Sequence, residues 1–158
     1  MLYLAPNTQV NQSMKDIIFE KNVITNCECA IVMGSYENLI IRKNLITTAD
    51  TYGDAFRLHI GHKYEKRPLV NIEISDNTFF SNQKRSGNSG AIKIEPYRST
   101  AWNGLTEHQN IRITNNRFYM QGATDPVIYY NSTDMARVAG LNAQVTFNNN
   151  IVHMTDQG

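Results

Sequence analysis

The chain has 158 residues, 41% of them hydrophobic and 18% charged, and a net charge of +1. That length and balance suit one domain. They exclude two classes of partner: there is no run of ~18 apolar residues to cross a membrane, and no basic surplus of the kind a general nucleic-acid binder carries.

In chain order, the first stretch is Leu2-Tyr3-Leu4-Ala5-Pro6, which has the pattern of Ile92-Lys93-Ile94-Glu95-Pro96 rather than that of a secretory leader. The chain therefore reads as starting inside a repeat. A stacked repeat with an open end exposes strand edges and core side chains. The expectation is a single domain over residues 1–158 that is an internal or C-terminal part of a longer β-helix, with missing rungs, a cap or another subunit covering its N-terminal end.

From residue 16 onward a nine-residue phrase recurs five times, at 16–24, 38–46, 71–79, 110–118 and 144–152. Its second position holds Ile17, Leu39, Ile72, Ile111 and Val145, and its fourth holds Phe19, Ile41, Ile74, Ile113 and Phe147. Apolar and polar residues alternate there, which is the period of a strand with one buried face. The seventh position is always asparagine: Asn22, Asn44, Asn77, Asn116 and Asn150. An asparagine at a turn tolerates unusual backbone angles, and its carboxamide can bond to equivalents above and below. A repeat that cannot bury its apolar face alone must stack on its neighbours, so the five form an asparagine ladder.

Between the phrases lie Ala30-Ile31-Val32-Met33, Ala55-Phe56-Arg57-Leu58, Ala91-Ile92-Lys93-Ile94 and Val127-Ile128-Tyr129-Tyr130, short β-prone runs set off by Gly53, Gly90 and Pro126. Three strands per repeat, wound in one direction, predict an all-β fold: a right-handed, single-stranded parallel β-helix of about five to six rungs. The first repeat holds Cys27 and Cys29, too close along one strand to bridge and too few for a metal quartet, so they read as small buried fillers. Later repeats are longer, with the excess in residues 61–69, 96–109 and 132–143. All three insertions leave the repeat at the same corner and would wall one side of a groove.

The alternation ending in Asn-Asn-x-Phe, followed by a glycine-led strand such as Gly90-Ala91-Ile92-Lys93-Ile94, resembles the right-handed parallel β-helix superfamily of pectate lyases and related carbohydrate-active proteins. The resemblance covers almost the whole chain. It implies a polysaccharide groove along these strands and the loops after them, in an extracellular, periplasmic or virion-associated setting. The calcium-binding carboxylate clusters of similar lyases have no clear match here, so no cofactor or metal is expected.

Alternation along the glycine-led strands places Arg57, Lys93 and Tyr129 in one outward column, with His59 and Glu95 in a second. On that alignment Arg57 stands beside Lys93, and His59 beside Glu95. The loops add His62, Arg67, Tyr97, Arg98 and Trp102. Adjacent cations repel unless an anion lies between them. A uronate supplies one, Arg grips it in bidentate fashion, and an aromatic ring offers a flat face to the sugar. A glycosidase needs two carboxylates about 5–9.5 Å apart, and Glu95 has no such partner. Proton abstraction beside a uronate carboxylate needs only a base, Lys93 or His59, and cationic neutralisation by Arg57. The expected activity is therefore lyase-type cleavage of an acidic polysaccharide. The alternatives are a glycoside hydrolase with acids partly in missing rungs, and a non-catalytic phage tailspike or adhesin shaft.

Overall fold

The computed structural model describes residues 13–27, 36–48, 56–60, 69–81, 90–94, 109–121, 127–130 and 145–155. These are all strand and connection, with no helix among them. The phrase's apolar alternation forms five strands: β1 (Met14–Glu20), β3 (Tyr36–Arg42), β6 (Val70–Ser75), β9 (Gln109–Thr114) and β12 (Val145–Asn148). They lie side by side in that order as one parallel sheet, here sheet A. After each asparagine a second strand follows: β2 (Val23–Cys27), β4 (Leu45–Thr48), β7 (Thr78–Ser81), β10 (Arg117–Gln121) and β13 (Ile151–Thr155). These form parallel sheet B. The glycine-led runs give β5 (Phe56–Ile60), β8 (Gly90–Ile94) and β11 (Ile128–Tyr130), which make parallel sheet C. From β3 to β13 the described strands thus visit A, B and C in turn and move one strand along at each visit.

Burial follows phrase position. Leu39, Ile72 and Ile111 at the second position, Ile41, Ile74 and Ile113 at the fourth, and Ile46, Phe79 and Phe118 at the ninth all lie in the core. Ile92 and Ile94 of sheet C join them. Phe79 and Phe118 stack at 5.0 Å with an 8° interplanar angle, and the stack continues to Phe147 at 6.2 Å.

At two phrase positions the described residues break the strand period and take left-handed backbone angles. At the first position Asp16, Asn38, Asn71 and Asn110 have φ between 52° and 62°. Tyr36 and Leu39 are three residues apart yet both buried, as are Leu69 and Ile72. Strict alternation would turn one member of each pair outward, so the left-handed residue between them resets the phase. At the sixth position Lys21, Lys43, Asp76, Asn115 and Asn149 have φ from 55° to 58°. The corner angle expected of the ladder asparagine thus belongs to the residue before it. The reason is that this residue takes the sharp turn, which leaves the asparagine side chain directed into the corner.

The inner ladder is continuous. Asn22 Nδ2 donates to Asn44 Oδ1 at 3.0 Å, Asn44 to Asn77 at 2.9 Å, Asn77 to Asn116 at 3.0 Å and Asn116 to Asn150 at 3.0 Å. Each Oδ1 also accepts the backbone N–H of the asparagine one repeat earlier. The second Nδ2 proton of Asn44, Asn77 and Asn116 goes back to Phe19, Ile41 and Ile74 carbonyls. Both donors and both acceptor positions are therefore used, which is how a buried carboxamide becomes tolerable.

An outer ladder, not anticipated from the phrase, runs the opposite way. Asn38 Nδ2 donates back to Asp16 Oδ1 at 2.8 Å, Asn71 to Asn38 at 3.0 Å and Asn110 to Asn71 at 2.9 Å. Asp16 sits where only an acceptor is needed, so a carboxylate serves there. The signal was present in the Asn or Asp that opens the first four phrases.

Candidate functional site

Sheet C carries the strands on which the sequence places the groove. Its register pairs Leu58 with Ile92 and Ile60 with Ile94, and on the other side Ile128 with Ile92 and Tyr130 with Ile94. The position between those buried isoleucines brings His59 beside Lys93 and Lys93 beside Tyr129. Neighbouring strands lie about 4.8 Å apart, so the three form one column. This corrects the expected alignment of Arg57 with Lys93 and of His59 with Glu95. The physical reason is the period itself: sliding a strand by two residues keeps every inward residue inward, so alternation fixes the face and leaves a two-residue ambiguity in register. Pairing of Phe56 with Gly90 resolves it.

For Arg57, His59, Lys93 and Tyr129 the backbone is described and the side chains are not. Glu95, Tyr97, Arg98, Trp102, His62 and Arg67 lie outside the described residues, as do Cys29, the run at 30–33 and most of the three insertions. Leu69, which ends the first insertion, is fully buried.

Sheet B presents a second surface that the sequence reading passed over. The residue after the ninth phrase position is Phe80, Tyr119 and His153 in three successive repeats, in register across β7, β10 and β13. Phe80 and Tyr119 stack at 4.7 Å and 10°, and Tyr119 and His153 at 4.8 Å and 4°. The strand spacing falls within the centroid separation of offset-stacked rings, so one aromatic per repeat makes a π column. Beside it, at the A–B corner, a polar hollow of about 280 Å³ is lined by Asp76, Asn77, Thr78, Asn115 and Arg117.

Outward charges on sheet A pair across the same register. Lys15 meets Glu37 at 2.6 Å, Arg42 Nε donates to Glu20 Oε2 at 2.7 Å, and Arg112 approaches Glu73 at 3.5 Å. The bond from Arg42 holds the Glu20 carboxyl below its usual range and raises the Arg42 guanidinium. Because the folded pKa of Glu20 is depressed, its contribution to stability is present above the unfolded carboxylate value of about 4.3 and is lost as pH falls through the lower folded value. Carboxyl-carbon NMR titration should show Glu20 titrating lower in the wild type than in Arg42→Gln; equal midpoints would dissociate the pair in solution. These exposed pairs organise strands rather than form a site. Among the described residues, no group of three His, Cys, Asp or Glu side chains is placed to hold a metal ion.

Compared with family models, curated proteins and solved structures, the chain matches none.

Proposed function

We propose that sheets A, B and C are the three faces of a closed right-handed parallel β-helix like that of the pectate-lyase-like superfamily, and that the chain binds and cleaves an acidic polysaccharide by β-elimination along sheet C. The observation that carries this reading is the register of His59, Lys93 and Tyr129. In that backbone register a histidine, a lysine and a tyrosine share one position on adjacent strands, with Arg57 two residues from His59 on the same strand.

In the proposed reaction, His59 or Lys93 removes the proton on the carbon next to the uronate carboxylate. The C–H electron pair forms a C=C bond, the C–O bond to the next sugar breaks, and the departing oxygen takes up a proton. Cationic Arg57 stabilises the charge that builds on the carboxylate, and Tyr129 gives a sugar ring a surface to rest on. Glu95 neutralises surplus positive charge, and Tyr97, Arg98, Trp102, His62 and Arg67 extend the grip through the loops. The reading belongs to an extracellular, periplasmic or virion-associated protein. A non-catalytic shaft is the second reading, favoured by two side-chain ladders that serve stacking alone.

The test is incubation with a panel of acidic and neutral polysaccharides, following ultraviolet absorbance of unsaturated products together with new reducing ends. Absorbance growth that falls by a hundredfold or more, on the order expected for loss of a general base, in Lys93→Ala or His59→Ala supports elimination. Reducing ends without absorbance mean hydrolysis, and neither signal means a shaft.

A further inference from the structure

We propose that the hollow at the A–B corner binds a small zwitterion of the α-amino acid class. It is about 280 Å³ in volume and is lined by Asp76, Asn77 and Thr78 of one repeat and by Asn115 and Arg117 of the next. Ligands of drug size fill about 300–1,000 Å³, so this space takes a smaller molecule. The hollow lies inside the stack, since β7 also pairs with β4 and β10 with β13. None of its residues belongs to sheet C, so the site does not rest on the cleavage proposed there.

The lining follows from the phrase. Asp76 and Asn115 hold the sixth position of successive repeats, with φ of 55° and 58°, and both are exposed where the chain turns. Thr78 and Arg117 hold the eighth position and are register partners on β7 and β10. Between them Asn77 turns into the ladder, its side chain bonded to Asn44, Asn116 and the Ile41 carbonyl. Its main-chain groups are also taken, the N–H by Asn116 Oδ1 and the carbonyl by the Arg117 N–H. The floor is therefore saturated, and the rim side chains of Asp76, Thr78, Asn115 and Arg117 supply the chemistry. A carboxylate and a guanidinium occupy one pair of opposite corners, a hydroxyl and a carboxamide the other.

On sheet A, opposite charges close on each other. Lys15 and Glu37, Glu20 and Arg42, and Glu73 and Arg112 are register partners, and each couple forms an ion pair. Asp76 and Arg117 are instead diagonal across the corner. Among the described residues, none of the four rim side chains forms an ion pair or a hydrogen bond. The hollow thus holds an anion and a cation apart with open space between them. A net anion meets Arg117 but is repelled by Asp76, and a net cation meets the reverse. A zwitterion has an ammonium for Asp76 and a carboxylate that the Arg117 fork can grip with two N–H bonds. Both its ends gain charge attraction, which a neutral polyol lacks. Asn115 and Thr78 can bond the remaining carboxylate oxygens and ammonium protons.

Glycine is the smallest probe of this class. In NMR titration of the isotope-labelled full chain it should shift the Arg117 Nε–H, Asn115 Nδ2–H and Thr78 amide signals together. Saturation is expected at about 1–10 mM, a range open to a molecule of this size. Acetate, methylammonium and glucose, each alone, should require at least about tenfold more. Asp76→Asn and Arg117→Thr each copy the residue at the same position of the neighbouring repeat, Asn115 and Thr78, and so should melt like the wild type. Both should bind glycine about tenfold more weakly. Asp76→Asn should bind acetate better than the wild type does, and Arg117→Thr should do the same for methylammonium. The wild-type comparison of glycine with its two halves stands even where a variant melts early. Glycine giving no saturating shift by about 100 mM overturns the proposal. So does glucose binding as well as glycine, or either folded variant keeping the wild-type affinity for glycine.

Discussion

Asn77→Asp should unfold the chain at neutral pH, while Asn77→Ala should cost about 3–5 kcal/mol, each on the scale of a buried group left unsatisfied several times over. Asn77 is 1% exposed and stands mid-ladder. Truncation to alanine takes the Asn77 side chain away from the Asn44 N–H, one Asn44 Nδ2 proton and the Ile41 carbonyl, all of which bond to it. Asn116 Oδ1 keeps the backbone N–H of residue 77. The aspartate still accepts from Asn44, but its second oxygen faces the Ile41 carbonyl and Asn116 Oδ1, where Asn77 Nδ2 donates at 2.9 and 3.0 Å. Burial among acceptors favours the protonated acid, which recovers one donor and raises the folded pKa above the unfolded value of about 3.9. A raised folded pKa gives stability that is present below the unfolded value and lost as pH rises through the folded one. Urea unfolding relative to wild type should therefore show a smaller deficit for Asn77→Asp at pH 3.5 than at pH 7. A variant as stable as wild type at pH 7 would remove the ladder from the forces holding the stack.

The inner ladder was legible because one residue type recurs at one phrase position, and the hydrogen-bond capacity of a carboxamide says what a column of them does. Inward positions were legible for the same reason, from Leu39 through Phe118. Three things were not. Alternation is blind to a two-residue slip, so His59 rather than Arg57 stands beside Lys93. A left-handed residue inside a strand leaves the apolar pattern looking continuous, so the phase resets at Asn38 and Asn71, and the outer ladder they build, did not announce themselves. The ring column of Phe80, Tyr119 and His153 mixes three residue types; its common property is a flat π face, which a search for identical residues passes over. For the candidate groove the sequence supplies residue types only, and the pairing of His59, Lys93 and Tyr129 depends on backbone register.

The inner stack of Phe79, Phe118 and Phe147 predicts a second large effect that depends on where along it the ring sits. Phe118→Ala should cost about 3–5 kcal/mol, the range for emptying a buried phenylalanine site, because Phe118 is fully enclosed with Phe79 on one face and Phe147 on the other. The neighbouring main chain cannot close over the space: it is held by parallel pairing to Phe79 on one side and Val152 on the other. Phe147→Ala removes the same chemical group from β12, where the residue is 41% exposed, and should cost only about 1–2 kcal/mol, scaled from the transfer value for a full side chain. Denaturant midpoints of the two variants, measured on dilute monomer, should therefore differ clearly in favour of Phe147→Ala. Equal losses would mean that residue 147 is covered in solution. If the Phe147→Ala loss grew with protein concentration in the wild-type comparison, the covering would come from a second copy, because only an intermolecular contact makes apparent stability depend on concentration.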